Sequence, residues 1–468
     1  MSILGLPTTA KFDAEADYFY SHRRQILHQY PKGGAPLTGL MSMMPEEPVS
    51  NFQFVWYEKV YHSPTTKLRG TNPLTSTAPT TGDADDGTNL ANGAVAVSTT
   101  VYMKVESTVD FRPGYIIEIQ GTNAARIQFW VTAVTRGATV PSEKGYLTLK
   151  PVRAYTAAAT DDTAGDVVRA LGTAMGEGAS GAGITPLGFK RPYAVQNQVQ
   201  IFRTPFSFSG SVLQQGLKYD KTGPYKERAK DAVVEHMTSI ERQIIWGRRS
   251  TTTRSALTAG DEDETVRTFS GIIEFLELWD AGSTGLTIDG ATYAPYYFKG
   301  PSTSDADDDK RIIENASGTL TYKKFMQWAE RIGRYHTSKT NEKLIVCGSG
   351  AIIAANEMLR QNSSFQVKEG QTIYGLDITT IITPFGKFHL MTHPLFNEDF
   401  LYRNWMLFLD IWSLKYRYLQ GRDTRLLKMR QNPGDDRRKD EYLTECGIEF
   451  WHPRNNMLVK NVNTYVEA

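Results

Sequence analysis

The chain has 468 residues, 40% hydrophobic and 11% aromatic, a globular composition whose length points to two or three structural units. Lysine and arginine total 52 against 51 aspartate and glutamate, so no basic surplus marks a sequence-specific nucleic-acid binder. No apolar run approaches the roughly 18 residues of a membrane-spanning helix, and no basic then apolar leader opens the chain.

Two cysteines, Cys347 and Cys446, cannot build a disulfide framework and read as buried thiols. The chain is therefore expected to fold in the cytoplasm of the cell that makes it. Near-neutral charge suits a subunit that packs against copies of itself.

Residues 1–50 read as an arm. Residues 12–28 can form one helix, ended by Pro31-Lys32-Gly33-Gly34, but the segment has too little apolar surface to fold alone. Residues 52–58 alternate large apolar residues with others, as a half-buried strand does. Residues 63–99 are rich in Thr, Gly, Ala, Asn and Asp and read as a flexible loop. Short strand candidates follow at 101–105, 115–119, 127–134 and 146–149, spaced as in a small barrel or sandwich. A second soft stretch spans 157–183, so the β module reads as an insertion into a larger framework.

Residues 194–212 are extended again and could run back beside the strand at 52–58. The strongest helix spans 224–246, with Pro224 in its first turn and Gly247 at its end. Tyr225, Ala229, Ala232, Val233, Met237, Ile240 and Ile244 make a narrow stripe fit to lie on a sheet. At 1.5 Å per residue it is about 35 Å long. The remainder reads as α/β: a helix capped by Thr321, a strand at 344–347, a helix at 350–360, and a strand-rich end. Period two is explicit in Tyr442, Thr444, Cys446, Ile448 and Phe450.

No catalytic constellation survives inspection. Gly176–Gly181 matches GxGxxG but lacks the strand before and helix after that a dinucleotide site needs. Asp305, Asp307 and Asp309 open like a calcium loop, but Lys310 replaces the turn glycine and Ala316 the closing acid. Cys347-Gly348-Ser349-Gly350 puts cysteine where a nucleophile elbow needs glycine. Eight histidines form no HExxH or paired Cys/His cluster. The expectation is no catalytic residue, no cofactor and no metal. Phe52, Phe54, Trp56, Phe206 and Phe208, with Arg203 in the same strand as the last two, are candidate subunit-interface anchors.

The order of arm, long two-stranded loop, strut helix, α/β region and returning β segment resembles the Hong Kong 97-type fold of tailed-bacteriophage major capsid proteins. The resemblance is carried by Pro36-Leu37-Thr38, Phe54-Val55-Trp56-Tyr57-Glu58, Ala174–Gly178, Asn197–Arg203, Ser209-Gly210-Ser211, Glu241, Thr383-Pro384-Phe385-Gly386, Leu409-Asp410 and Glu441–Phe450. It covers about 35–462 and is similar to the branch with a β insertion in the extended loop. It implies an α+β fold with a small inserted β-barrel-like domain. The divisions expected are an N-terminal arm at 1–50, an extended loop at 51–99 and 156–215, and the inserted domain at 100–155. A peripheral domain at 216–261 and 399–468 would hold the spine helix at 224–246, and an axial domain would span 262–398.

The resemblance further implies self-assembly into hexamers and pentamers of an icosahedral shell enclosing double-stranded DNA, which is touched non-specifically. Portal, scaffolding and cement or decoration proteins would be partners, with the virion as destination, assembly in the host cytoplasm and no membrane. A cellular nanocompartment shell of the encapsulin type is the alternative. A glycan-binding or tail protein using 100–155, or a hydrolase or oxidoreductase, ranks behind.

Overall fold

The computed structural model describes residues 46–58, 65–82, 84–108, 110–120, 126–137, 144–157, 164–174, 193–214, 224–253, 265–280, 287–288, 291–292, 312–334, 341–361, 366–373 and 376–466. The chain forms two compact units, Met1–Glu58 with Tyr193–Ala468, and Lys59–Pro192. The helix expected at 12–28, the GxGxxG loop and the Asp305–Asp309 run lie outside the described residues.

The unit Lys59–Pro192 is built on one seven-stranded antiparallel sheet. Its order is Thr65–Lys67, Val167–Thr173, Tyr115–Gln120, Arg126–Arg136, Gly145–Pro151, Val101–Val105 and Leu74–Thr75. The sheet rolls closed. Leu68, next to the first strand, bridges Val105 of the sixth. Glu106 N donates to Lys67 O and Arg69 N to Lys104 O, both at 3.0 Å. Closure pairs edges that would otherwise stay open. Alternate residues fill the interior, among them Val101, Met103, Val105, Ile117, Ile119, Phe129, Val131, Leu147, Leu149 and Val168.

The module is therefore larger than the expected 100–155. Strands at 65–67, 74–75 and 167–173 complete it, and 63–99 is not one flexible loop. Polar side chains hold its described part: Arg69 donates to Gly82 O at 2.9 Å, and buried Lys104 pairs with Asp85 at 2.6 Å.

In the other unit, one sheet joins Glu47–Val49 parallel to Leu414–Leu419, which runs antiparallel to Arg437–Phe450; that strand in turn pairs with Gln200–Ser209. Arg425–Leu427 also pairs with Arg437–Phe450. The helix Pro224–Trp246 packs against Gln200–Ser209 and Arg437–Phe450. Of its expected stripe, Ala232, Ile240 and Ile244 are buried, while Val233 is only half-buried. His236, Glu241 and Ile245 share the buried side. A Cβ on Gly247 would collide with Gln243 O, so glycine suits the helix end.

The second large sheet has seven strands in the order Ile313–Asn315, Met457–Lys460, Met406–Leu409, Glu342–Cys347, Gly386–Thr392, Leu376–Thr383 and Gln366–Ile373. It is covered on both faces, which is why its central strands are short continuous apolar runs. Leu344, Val346, Leu407 and Leu409 face a core shared with Ile244, Phe275 and Phe450. Ile345, Cys347, Met406 and Phe408 face the helices Tyr322–Gly333 and Ser349–Gln361. Residues 399–468 were expected to lie wholly with the long helix. Met406–Leu409 and Met457–Lys460 instead sit in this second sheet, because both their faces are apolar.

Candidate subunit interface

Strand Gln53–Glu58 pairs antiparallel with Tyr193–Gln198, from Gln53 opposite Gln198 to Glu58 opposite Tyr193. Period two gives this ribbon two faces. Phe54 and Trp56 are buried, with Trp56 packed edge-on to Phe275 at 6.1 Å. Val55 and Tyr57 point the other way and are exposed.

The six expected anchors consequently divide. Phe54, Trp56 and Phe206 belong to the subunit's own interior and are not free to anchor a neighbour. Phe206 stacks on Tyr442 at 5.9 Å and meets Tyr225 of the long helix at 5.8 Å. Phe208 is half-buried, 6.2 Å from Tyr225. Phe52 is 45% exposed with Arg267 over its ring at 4.2 Å. The Arg203 side chain is 55% exposed and holds Glu441 with both carboxylate oxygens, at 2.9 and 2.8 Å. The sequence could not separate these cases, since by period two Phe52, Phe54 and Trp56 share one side, as do Phe206 and Phe208, and only what packs at each position distinguishes them. Further large apolar side chains emerge elsewhere: Phe400, Leu401, Trp412 and Ile201 are exposed.

Sequence reasoning missed the polar framework. Tyr442, Cys446, Ile448 and Phe450 lie on one face of their strand, and Glu441, Glu445 and Glu449, four residues apart, are buried acids on the other. Each lies against arginine: Arg203 and Arg430 on Glu441, Arg422 on Glu445, Arg417 on Glu449. Burial pushes the Glu441 carboxyl up, but the hydrogen bonds and charges of Arg203 and Arg430 outweigh it and hold it below the usual range. The recurrence of acids at every fourth residue in 441–449 was a legible signal.

A second missed group surrounds Asn197, fully buried. Its amide donates to Ser270 O at 3.1 Å and Ile448 O at 2.8 Å, and its oxygen accepts from Ser270 N at 3.0 Å and Gln198 N at 2.9 Å. A third is Lys343 with Asp410, both almost wholly buried and 2.6 Å apart. Burial pushes the Lys343 amine down, partly offset by Asp410. Asp410 also accepts from Trp412 N and so caps a short turn.

Ser349 opens a helix, its N–H bonded to Asn397 Oδ1 at 2.7 Å and its hydroxyl accepting from Arg403 Nε at 3.2 Å. Cys347 and Cys446 are buried, and burial pushes both thiols up, Cys446 to about 12. Among the described residues no three His, Cys, Asp or Glu could hold a metal, and no helix is long and apolar enough to cross a membrane.

Comparison with curated protein sequences found no match. Among solved structures, the chain is similar to Mycobacterium phage Patience, at 11% identity and TM-score 0.37, covering 63% of this chain and 79% of that one. It is similar to the capsid of cyanophage Pam1, at 10% identity and TM-score 0.35, covering 63% and 82%. An encapsulin complex of Synechococcus elongatus matches at 10% identity and TM-score 0.36, covering 59% and 77%. The family described as SU10 major capsid protein matches residues 26–463, nearly the whole chain. The chain belongs to the SU10 major capsid protein family and is a capsid protein, a structural subunit.

Proposed function

We propose that this capsid protein closes into an icosahedral head shell of hexamers and pentamers around double-stranded DNA, touching the packaged DNA non-specifically. The observation that carries the reading is the outward face of a framework already fully cored. Tyr57 is 71% and Phe400 80% exposed, large apolar surfaces that a shell neighbour would cover. In this reading the ribbon of Gln53–Glu58 and Tyr193–Gln198, with the barrel inserted in the sequence between its strands, is the extended loop of the β-insertion branch. It crosses a neighbouring subunit, and residues 1–50 reach another. Pro224–Trp246 is the spine helix of the peripheral domain, and the sheet around Glu342–Cys347 is the axial domain. Assembly takes place in the host cytoplasm with portal, scaffolding and cement proteins, and the subunit has no enzymatic role. Phe52, Arg203 and the exposed edge of Phe208 are the anchors retained at the interface.

Negative-stain electron microscopy and light scattering on the full chain, alone and with phage assembly partners, test the reading. Closed shells or rings of five and six are expected, with nuclease-protected DNA in particles from infected cells. A chain that stays monomeric with those partners would overturn it. Particles filled with protein cargo and no DNA would move it to the nanocompartment reading. Phe52→Ser with Tyr57→Ser, both exposed side chains, should leave the subunit folded while abolishing shells.

A further inference from the structure

Glu58 occupies a particular place in the chain. It is the last residue of its unit before the chain enters Lys59–Pro192, and its strand partner Tyr193 is the first residue after the chain returns. Both passages into the barrel unit therefore meet at one pair. The ribbon there is only two strands wide, so contacts to other elements must hold its end.

The Glu58 carboxylate is buried and takes three N–H groups. Oε1 accepts from Trp56 Nε1 at 2.8 Å, on the same strand. Oε2 accepts from His452 N and lies 3.3 Å from His452 Nδ1. His452 reaches it through an unusual backbone, left-handed at φ 47° and ψ 66° in the turn after Arg437–Phe450. A left-handed non-glycine residue is strained. Here the conformation aims the backbone N–H and the ring nitrogen at one oxygen. Asn456 Nδ2 fastens the same turn through His452 O at 3.3 Å. The ring is about one-third exposed, so its proton exchanges with solvent.

We propose that His452 and Glu58 form a proton-controlled latch that fixes the root of the two-stranded ribbon to the C-terminal turn. Glu58 is the main group acting on the ring. Asp410, already paired with Lys343, adds a weaker attraction. On adjoining Trp451, Glu449 accepts the indole N–H and Lys415 lies over the ring at 4.6 Å. The hydrogen bond to Glu58 raises the His452 pKa above its ordinary 6.5 against the opposing effect of burial. With the ring protonated, the contact is a charge-assisted pair. The neutral ring loses the attraction of opposite charges and keeps at most a hydrogen bond from an uncharged donor to the carboxylate. Because the folded value is raised, the extra stabilisation is complete below about 6.5 and is lost as pH climbs through the raised value.

Hydrogen–deuterium exchange on the full chain between pH 5.5 and 8.5, corrected for intrinsic rates, tests the latch. Peptides covering 52–58 and 193–198 should lose protection about fivefold across that range, while 342–347 should not respond. His452→Asn tolerates the left-handed backbone and cannot titrate, so its profile should be flat, as should that of Glu58→Gln. A flat wild-type profile overturns the latch, and so does a slope in His452→Asn equal to wild type.

Discussion

His393 Nε2 and Glu241 Oε1 lie 2.7 Å apart with both side chains fully buried, joining the long helix to the chain that leaves the second sheet. Nδ1 of the same ring accepts from Leu395 N at 3.2 Å, so the ring proton sits on Nε2 and is donated to the carboxylate. Replacing His393 by Ala would leave a buried acid short of a donor and uncap Pro394–Glu398. The expected cost is about 3 kcal/mol. Glu241→Gln, whose oxygen still accepts the Nε2 proton, should cost less. Denaturant midpoints on the three proteins check the order.

Asn197 makes a sharper test because it both donates and accepts. Asn197→Asp keeps the shape but turns two donors into lone pairs facing Ser270 O and Ile448 O. If donation is what the site needs, Asp should destabilise at least as much as Ala, on the order of 3 kcal/mol. An Asp variant as stable as wild type would mean the two carbonyls are satisfied otherwise. Thermal melts of both variants suffice.

What the sequence made legible follows periodicity. The long helix and the strands of the barrel were readable because one face of each is apolar and the other is not. Strands such as Thr65–Lys67 and Leu74–Thr75 were not, because two or three residues carry no period and their pairing is set by closure of the barrel. Met406–Leu409 was readable as a strand but not by sheet, since a run buried on both faces points nowhere. Of the candidate anchors, Phe52 and Phe54 look alike in sequence, but Phe52 lies just before the strand Gln53–Glu58 and is exposed, while Phe54 lies within it and is buried. The buried pairs Glu241–His393 and Lys343–Asp410 span 152 and 67 residues, beyond any local pattern.

The stripe on the long helix can be weighed residue by residue. Ile244 is fully buried beside Phe275 and Leu407 in one core, whereas Val234 is 45% exposed. Ile244→Ala should cost about 3 kcal/mol through lost contacts and the cavity left behind. Val233, half-buried, should respond less to truncation. Val234→Asp should change stability by no more than about 0.5 kcal/mol. Because Val234 lies on the outward side of the helix, the same variant also asks whether that side is covered in the shell. A folded subunit that no longer assembles would place a contact there.

The barrel unit should carry its own acid sensitivity. Glu118 is fully buried on Tyr115–Gln120 and is gripped by Arg126 at 2.9 Å, Arg169 at 3.0 Å and Gln128 Nε2 at 3.1 Å. The Arg126 hydrogen bond outweighs burial, and with Gln128 and Arg169 lowers the carboxyl from 4.5 to about 2. A depressed folded value means the unfolded chain binds its proton first on acidification. The stabilisation is therefore present above about 4.5 and is lost as pH falls toward about 2. Arg126 and Arg169 tie three adjacent strands through this one acid, so the loss should loosen the barrel wall. Hydrogen exchange at 116–120 and 167–171 should rise through that window in wild type. In Glu118→Gln the protection should be lower at neutral pH and much less dependent on acid. Equal acid profiles would show that other carboxylates govern the barrel.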